Sequence, residues 1–264
     1  MEKINFKKKY GQNFLTDTNL LKAIVADSEV SFNDEVLEIG AGAGALTTHI
    51  KDSCKKVVSF EIDKDLEALL KDKFESCTNV HLRFEDVMKV STQNIDALFD
   101  KEYRVIANLP YYITTPILFK FLEESKKLIS MTIMVQKEVA EKIIAEPKNS
   151  NYGILSVMVQ HYTNAKITRI VKKQMFTPQP KVDSAIIVLK RKQVNFDANF
   201  KNFVQTAFAM RRKTLVNNLS KLYSKSLIED VLQLSGYNKN IRAEELSPVE
   251  LEKLFRNYFD KISP

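Results

Sequence analysis

Glu35-Val36-Leu37-Glu38-Ile39-Gly40-Ala41-Gly42-Ala43-Gly44-Ala45-Leu46-Thr47 is the stretch that decides how this chain folds. Glu35–Ile39 is predicted as a short apolar strand, and a helix is predicted from about Leu46. Between them stand three of the six glycines in the whole chain. Glycine admits backbone angles and a closeness of approach that a Cβ forbids, so a strand is turned into a helix here within a few residues. Outward from this point the alternation repeats. Lys56–Phe60 is a second predicted strand, followed by a helix over Leu66–Phe74 with Leu66, Leu69, Leu70 and Phe74 on one side. His81–Phe84 and Tyr103–Ala107 are the third and fourth strands, and a helix follows over Ile117–Leu122. Met131–Val135 is the fifth strand, with a helix over Val139–Ala145. Strands alternating with helices predict an α/β fold, a parallel sheet with helices on both faces.

Upstream, Thr16–Asp27 reads as a helix with Leu20, Leu21, Ile24 and Val25 as its apolar stripe and Thr16 as its cap. Downstream, Ile167–Val171 and Ser184–Leu189 read as late strands forming an antiparallel edge. From Phe200 the apolar residues recur only at helical spacing: Phe203, Ala207, Phe208 and Leu215, then Leu227, Val231, Leu232 and Leu234, then Leu251, Leu254 and Phe255. The change falls near the polar stretch Arg191–Ala198. It divides the chain into residues 1–192 and a small all-helical domain, 193–264.

The chain has 264 residues, of which 44% are hydrophobic and 28% charged, a globular composition. No apolar run approaches the roughly 18 residues of a membrane helix. The N-terminus has no apolar stretch behind its charges, so a cytoplasmic protein without a secretory signal is expected. Cys54 and Cys77 have no His or Cys at metal-ligand spacing, which argues against a Cys-based zinc site and a disulfide framework. Charge is unevenly placed. Residues 1–189 carry 26 basic and 25 acidic side chains, whereas 190–264 carry 14 and 8. The helical part is therefore a candidate polyanion surface.

The glycines are spaced G-x-G-x-G, not G-x-G-x-x-G. A dinucleotide's pyrophosphate cradle is not what this loop is built for, but the bend and close approach suit an adenosine ligand. The second strand ends in Glu61, where a carboxylate can accept from both hydroxyls of a ribose. The third is followed by Asp86, where a carboxylate can accept from an adenine amine. After the fourth strand comes Asn108-Leu109-Pro110-Tyr111. An adenine amine is a poor nucleophile because its lone pair is delocalised into the ring. Two acceptors on its N–H groups would pull it toward tetrahedral geometry. The Asn108 side-chain oxygen is one, and the Leu109 or Pro110 carbonyl is the other, with Pro110 restricting the backbone on either side of it. Tyr111 offers a ring face for an unstacked base.

Asn108-Leu109-Pro110-Tyr111 resembles the catalytic loop of adenine-N6 methyltransferases that use S-adenosylmethionine. More closely, the chain is similar, nearly end to end, to the ribosomal RNA adenine dimethyltransferase family. Gly11-Gln12-Asn13-Phe14-Leu15 looks like its N-terminal cofactor motif, and Leu37–Thr47 looks like its glycine motif, with Ala41 where relatives often have proline. Phe60-Glu61-Ile62-Asp63, Asp86-Val87, Asn108–Ile113 and Phe176-x-Pro178-x-Pro180-Lys181-Val182-Asp183-Ser184-Ala185 fall in the family order. Gly11, Phe208–Leu215 and Arg242–Ser247 look like the small-subunit (KsgA-type) branch rather than the large-subunit resistance (Erm-type) branch.

The resemblance implies a Rossmann-like methyltransferase sheet, S-adenosyl-L-methionine as cofactor, and a monomer that dimethylates two adjacent adenosines of 16S-type rRNA. The target would lie in a hairpin loop near the 3′ end, in the immature small ribosomal subunit. It further implies cofactor contacts from Asn13, Leu15, Gly40, Gly42, Glu61, Asp86 and Asn108. Catalysis would fall to Asn108, Leu109, Pro110 and Tyr111, with Phe176 as a second base face or pocket wall, and no metal. RNA contacts are expected from Lys7–Lys9, Lys190–Lys192, Arg211–Lys213 and the helical domain. The competing readings are Erm-type methylation of the large subunit, DNA adenine methylation, and an assembly or transcription factor that acts by binding.

Overall fold

The computed structural model describes residues 14, 15 and 17–259. The chain divides into two compact units, residues 1–140 with 164–191 and residues 141–163 with 192–264. The sequence suggested one cut near 192. The chain instead crosses between units at 140/141 and 163/164 as well. Residues 141–163 were read with the first part because Ile154–Val159 is a nearly unbroken apolar run with no period to betray its helix.

In order, the first unit contains β1 (Phe14–Leu15), α1 (Thr18–Asp27), β2 (Glu35–Ile39), α2 (Ala45–Lys51), β3 (Lys56–Phe60), α3 (Glu67–Phe74), β4 (Val80–Arg83) and α4 (Thr92–Asp96). It continues with β5 (Tyr103–Asn108), α5 (Thr114–Glu124), β6 (Leu128–Gln136) and the start of α6 (Lys137–Ile144). It resumes within β7 (Thr163–Val171), then β8 (Phe176–Thr177) and β9 (Ser184–Arg191). Seven strands form one sheet in the order β4-β3-β2-β5-β6-β9-β7, and β1 pairs with β8 in a separate ribbon. The pairs from β4 to β6 are parallel, and β9 runs antiparallel to β6.

All of β2 is buried, as expected for a parallel strand covered on both faces. Chain order reverses between β2 and β5, which is where such sheets open a crevice beyond their carboxyl ends. Ile39 pairs with Ala107, so Gly40 and Asn108 follow side by side. Helix α1 starts at Thr18, and its cap is Asp17, whose carboxylate accepts the Leu20 N–H at 2.8 Å. Thr16, expected as that cap, lies outside the described residues. Leu21, Ile24 and Val25 of α1 join Leu46 and Ile50 of α2, Leu15 and Phe176 in one apolar cluster.

The second unit contains α7 (Ile154–Tyr162), α8 (Ala198–Ala207), α9 (Leu215–Leu219), α10 (Lys225–Leu234) and α11 (Pro248–Leu254). Aromatic rings fill its centre: Phe255 lies 5.5 Å from Phe200 and 5.4 Å from Phe203, and His161 lies 4.6 Å from Phe200. Buried Asn218 donates to the Ala207 and Met210 carbonyls at 2.7 and 3.1 Å, shaping the turn after α8. Among the described residues, no helix is long and apolar enough to cross a membrane.

Candidate active site

The glycine loop leaves β2 in left-handed conformation at Gly40 (φ 82°), Gly42 (φ 56°) and Gly44 (φ 73°). Other residues rarely adopt these angles. At Gly44 there is a second constraint, since an added Cβ would lie 2.6 Å from the Phe74 ring of α3. At Gly40 the neighbour is the loop that follows β5, through the Asn108 carbonyl, 3.8 Å from where a Cβ would stand. Lys73 of α3 donates to the Ala43 and Gly44 carbonyls, both at 3.0 Å, and pins the loop from outside.

Glu61 follows β3. Its Oε2 accepts the Gly42 N–H at 2.7 Å and its Oε1 the Asp63 N–H at 2.8 Å. The side chain is therefore fixed by backbone donors, with the Ile62 amide adding to those two. Burial pushes its carboxyl above the usual range, and the amide donors hold it back. Beneath the loop, Glu38 is fully buried and accepts from Thr47 Oγ1 at 2.6 Å and Ser59 Oγ at 2.5 Å. Burial pushes its carboxyl up to about 7, against those two hydrogen bonds.

Asn108 is the last residue of β5, and Tyr111 opens a single turn of 3₁₀ helix ahead of α5. The Pro110 carbonyl accepts the Ile113 N–H at 3.2 Å and the Thr114 hydroxyl at 3.4 Å. Tyr111 shares a hydrogen bond with Ser184 of β9 at 2.8 Å. Burial pushes the Tyr111 hydroxyl above its ordinary range, opposed by that bond.

These residues face one cleft. Leu15, Gly40, Gly42, Glu61, Asn108, Leu109, Pro110, Tyr111 and Phe176 all line it. Among the described residues of the expected set, one is not among its walls. Asp86 lies beyond the end of β4, half-buried, with one carboxylate oxygen taking the Met88 N–H at 2.9 Å. Asn13 is outside the described residues. Phe176 is 4% exposed and belongs to the apolar cluster as well as to the cleft wall. Sequence reasoning missed how the N-terminal motif reaches the site: Leu15 pairs with Phe176 across the β1·β8 ribbon, and strands of two residues leave no period to read. It also missed Leu21 and Ile24, read only as a helix stripe, and Tyr112, which stands exposed at the rim. Ser184 was read only as part of a motif.

A family model described as ribosomal RNA adenine dimethylase matches residues 3–259. The chain belongs to that family. Within it, a ribosomal RNA small subunit methyltransferase A from Bacillus pumilus is 42% identical over 263 residues, spanning 95% of this chain and 90% of the relative. One of the same name from Clostridium acetobutylicum is 41% identical over 263 residues, spanning 96% and 95%. A dimethyladenosine transferase from Plasmodium falciparum superimposes with a TM-score of 0.83 at 27% identity, over 95% of this chain and 98% of that one. The 23S rRNA methyltransferase ErmE superimposes with 0.73 at 25% identity, over 94% and 100%. The sheet and its flanking helices are the α/β methyltransferase fold that this family of dimethylases shares.

Proposed function

We propose that the chain transfers methyl groups from S-adenosyl-L-methionine to the N6 amines of two adjacent adenosines in a hairpin loop near the 3′ end of 16S-type rRNA. It acts as a monomer on the immature small ribosomal subunit in the cytoplasm. The observation that carries this reading is Asn108 beside Gly40 at the strand reversal, in the same cleft as Glu61.

The cleft suits an adenosine-bearing donor on two counts. Gly40 leaves open the space that a side chain would fill against the Asn108 backbone. The Glu61 carboxylate keeps acceptor capacity beyond its backbone donors, since its two oxygens offer about four lone-pair sites. When bound, S-adenosyl-L-methionine supplies an electrophilic methyl group on a sulfonium. Glu61 would accept from its ribose hydroxyls, Asp86, beyond the cleft walls, would have to reach its adenine amine, and Asn13 and Leu15 would meet the methionine end with the backbone at Gly40 and Gly42.

The Asn108 side-chain oxygen accepts one N–H of the target amine. The Leu109 carbonyl accepts the other, because the Pro110 carbonyl is already engaged in its own turn. Pro110 restricts Leu109, so this acceptor is set before the base arrives. Tyr111 supports one face of the base, and Phe176 closes the wall opposite. The product amine is cationic and loses its proton without a strong base. Rate enhancement comes from positioning and electrostatics, with no covalent enzyme intermediate. The helical unit binds RNA.

The test is methyl transfer from labelled cofactor to undermethylated small subunits, with the modified nucleotides mapped. Dimethylated adenosines in the small-subunit hairpin are expected. Transfer to large-subunit RNA in a parallel assay, with small subunits unlabelled, would favour the Erm-type reading instead, and particle binding without transfer would favour a binding factor.

A further inference from the structure

Between Glu146 and Asp197 the chain carries nine lysines and arginines and a single acidic residue, Asp183. The structure sorts these cations. Arg169 makes a two-pronged pair with Asp27 at 2.8 and 2.9 Å, and Lys190 closes on Glu29 at 2.6 Å. Arg191 donates to the Ser125 carbonyl at 2.6 Å, and Lys192 to the Gln160 carbonyl at 2.6 Å. The Lys190–Glu29 pair is itself exposed, but Arg191 and Lys192 of the cluster 190–192, which the sequence offers as an RNA contact, are tied to main-chain carbonyls of their own scaffold. Arg211 is too, through Glu244 and the Ser150 carbonyl, both at 2.6 Å.

Lys172, Lys173 and Lys181 are placed differently. They stand in the connection from β7 to β9, at the sheet edge where Gly40 and Asn108 lie. Gln136, the last residue of β6, pairs with Ser184, the first of β9, and the Lys137 N–H donates to the Asp183 carbonyl at 3.0 Å. The Asp183 carboxylate accepts the Lys173 N–H at 3.0 Å and meets Lys172 Nζ at 3.1 Å. Lys172 and Lys181 are exposed, and an exposed ion pair such as Lys172–Asp183 holds its partner weakly. Three lysines against one aspartate leave the segment 172–183 with a net charge of +2. The same segment supplies Phe176 to the cleft wall, and the residue after it, Ser184, holds the Tyr111 hydroxyl.

A base drawn out of its stack into a cleft brings its own backbone to the rim. Cations at that rim then meet phosphates whatever the neighbouring sequence. We propose that segment 172–183 is a phosphate ledge, with Lys172 and Lys181 taking the phosphodiesters that flank the adenosine presented at Asn108. The ledge rests on the function proposed above.

The experiment uses the full chain, undermethylated small subunits and labelled cofactor, with KM and kcat measured over a series of potassium chloride concentrations. For the double variant K172Q/K181Q, the slope of log KM against log salt should fall by about 1.4, at about 0.7 per single-strand phosphate. KM near 0.1 M salt should rise roughly tenfold, with kcat within about twofold and cofactor affinity unchanged. The charge-preserving K172R/K181R should restore slope and KM. A slope equal to that of the unaltered chain, or failure of the arginine variant to restore it, overturns the ledge alone. An unaltered chain that labels no small subunit overturns the functional reading itself.

Discussion

Beside the start of β5, the Asp96 carboxylate gathers the Tyr103 hydroxyl at 2.9 Å, the Ser125 hydroxyl at 2.8 Å and the Lys126 N–H at 2.8 Å. At the opposite edge of the same sheet Glu61 is as deeply buried, yet its donors are all backbone amides and the cleft lies beside it. The first carboxylate ties α4, β5 and the turn before β6 together. The second is held by the chain from one side and keeps lone pairs for whatever enters from the other. Burial alone therefore does not mark a functional acid; what marks it is where its donors come from.

Substitutions at the two edges should separate along that line. The largest effect belongs to Asn108→Ala, which removes an acceptor matched to the developing charge. Methyl transfer should fall about 10²–10³-fold, while particle binding, measured by co-sedimentation, survives. Unimpaired transfer would remove Asn108 from the chemistry and with it the meaning of the cleft edge. At the other edge, Asp96→Ala takes the acceptor from two buried hydroxyls and a part-buried N–H and should cost about 3 kcal/mol in urea unfolding, with kcat per folded molecule unchanged. Glu61→Gln turns an amide nitrogen toward a backbone N–H. Cofactor affinity by calorimetry should fall about 10–100-fold, with a loss of stability smaller than that of Asp96→Ala; the reverse ranking would break the comparison.

Glu38 sharpens it through pH. Between about 4.5 and 7 the folded chain holds a proton on Glu38 that the unfolded chain releases. Its contribution is thus complete at low pH and is lost as pH rises through that window, at most about 3 kcal/mol in all. Glu38→Gln should flatten the dependence of the urea midpoint on pH between 5 and 8. The smallest effect is expected at Ser184→Ala, a several-fold loss in kcat. Tyr111→Phe removes the same hydrogen bond, so the double variant should lose little more than either single one.

How far the sequence could be read follows the range of the interactions. The strand, glycine turn and helix of residues 35–51 were legible because each step is local: apolar run, left-handed turn, helix period. The strands of the sheet were legible too, β2 and β3 with the expected ends and the others shifted by up to four residues, as in β6, which begins at Leu128 where Met131 was expected. Asn108, Leu109, Pro110 and Tyr111 were legible as a motif at a strand end. What the motif could not show is that the Pro110 carbonyl is engaged by Ile113 and Thr114, or that Tyr111 meets Ser184, 73 positions away. Helix α7 was missed because Ile154–Val159 is apolar on nearly every side. The partners of the basic clusters were not legible, because charge in a sequence says nothing of its partner: Lys190 faces Glu29, 161 positions away.

The ribbon of β1 and β8 has a consequence for the cleft. Two residues on each side make too short a ladder to hold by backbone hydrogen bonds alone, so Leu15 and Phe176 owe their places to the apolar cluster they share with α1 and α2. The cleft therefore has one jamb built by a sheet, at β2 and β5, and one built by packed side chains. Changes to the α1 and α2 stripes act on the second jamb and leave the first as it is.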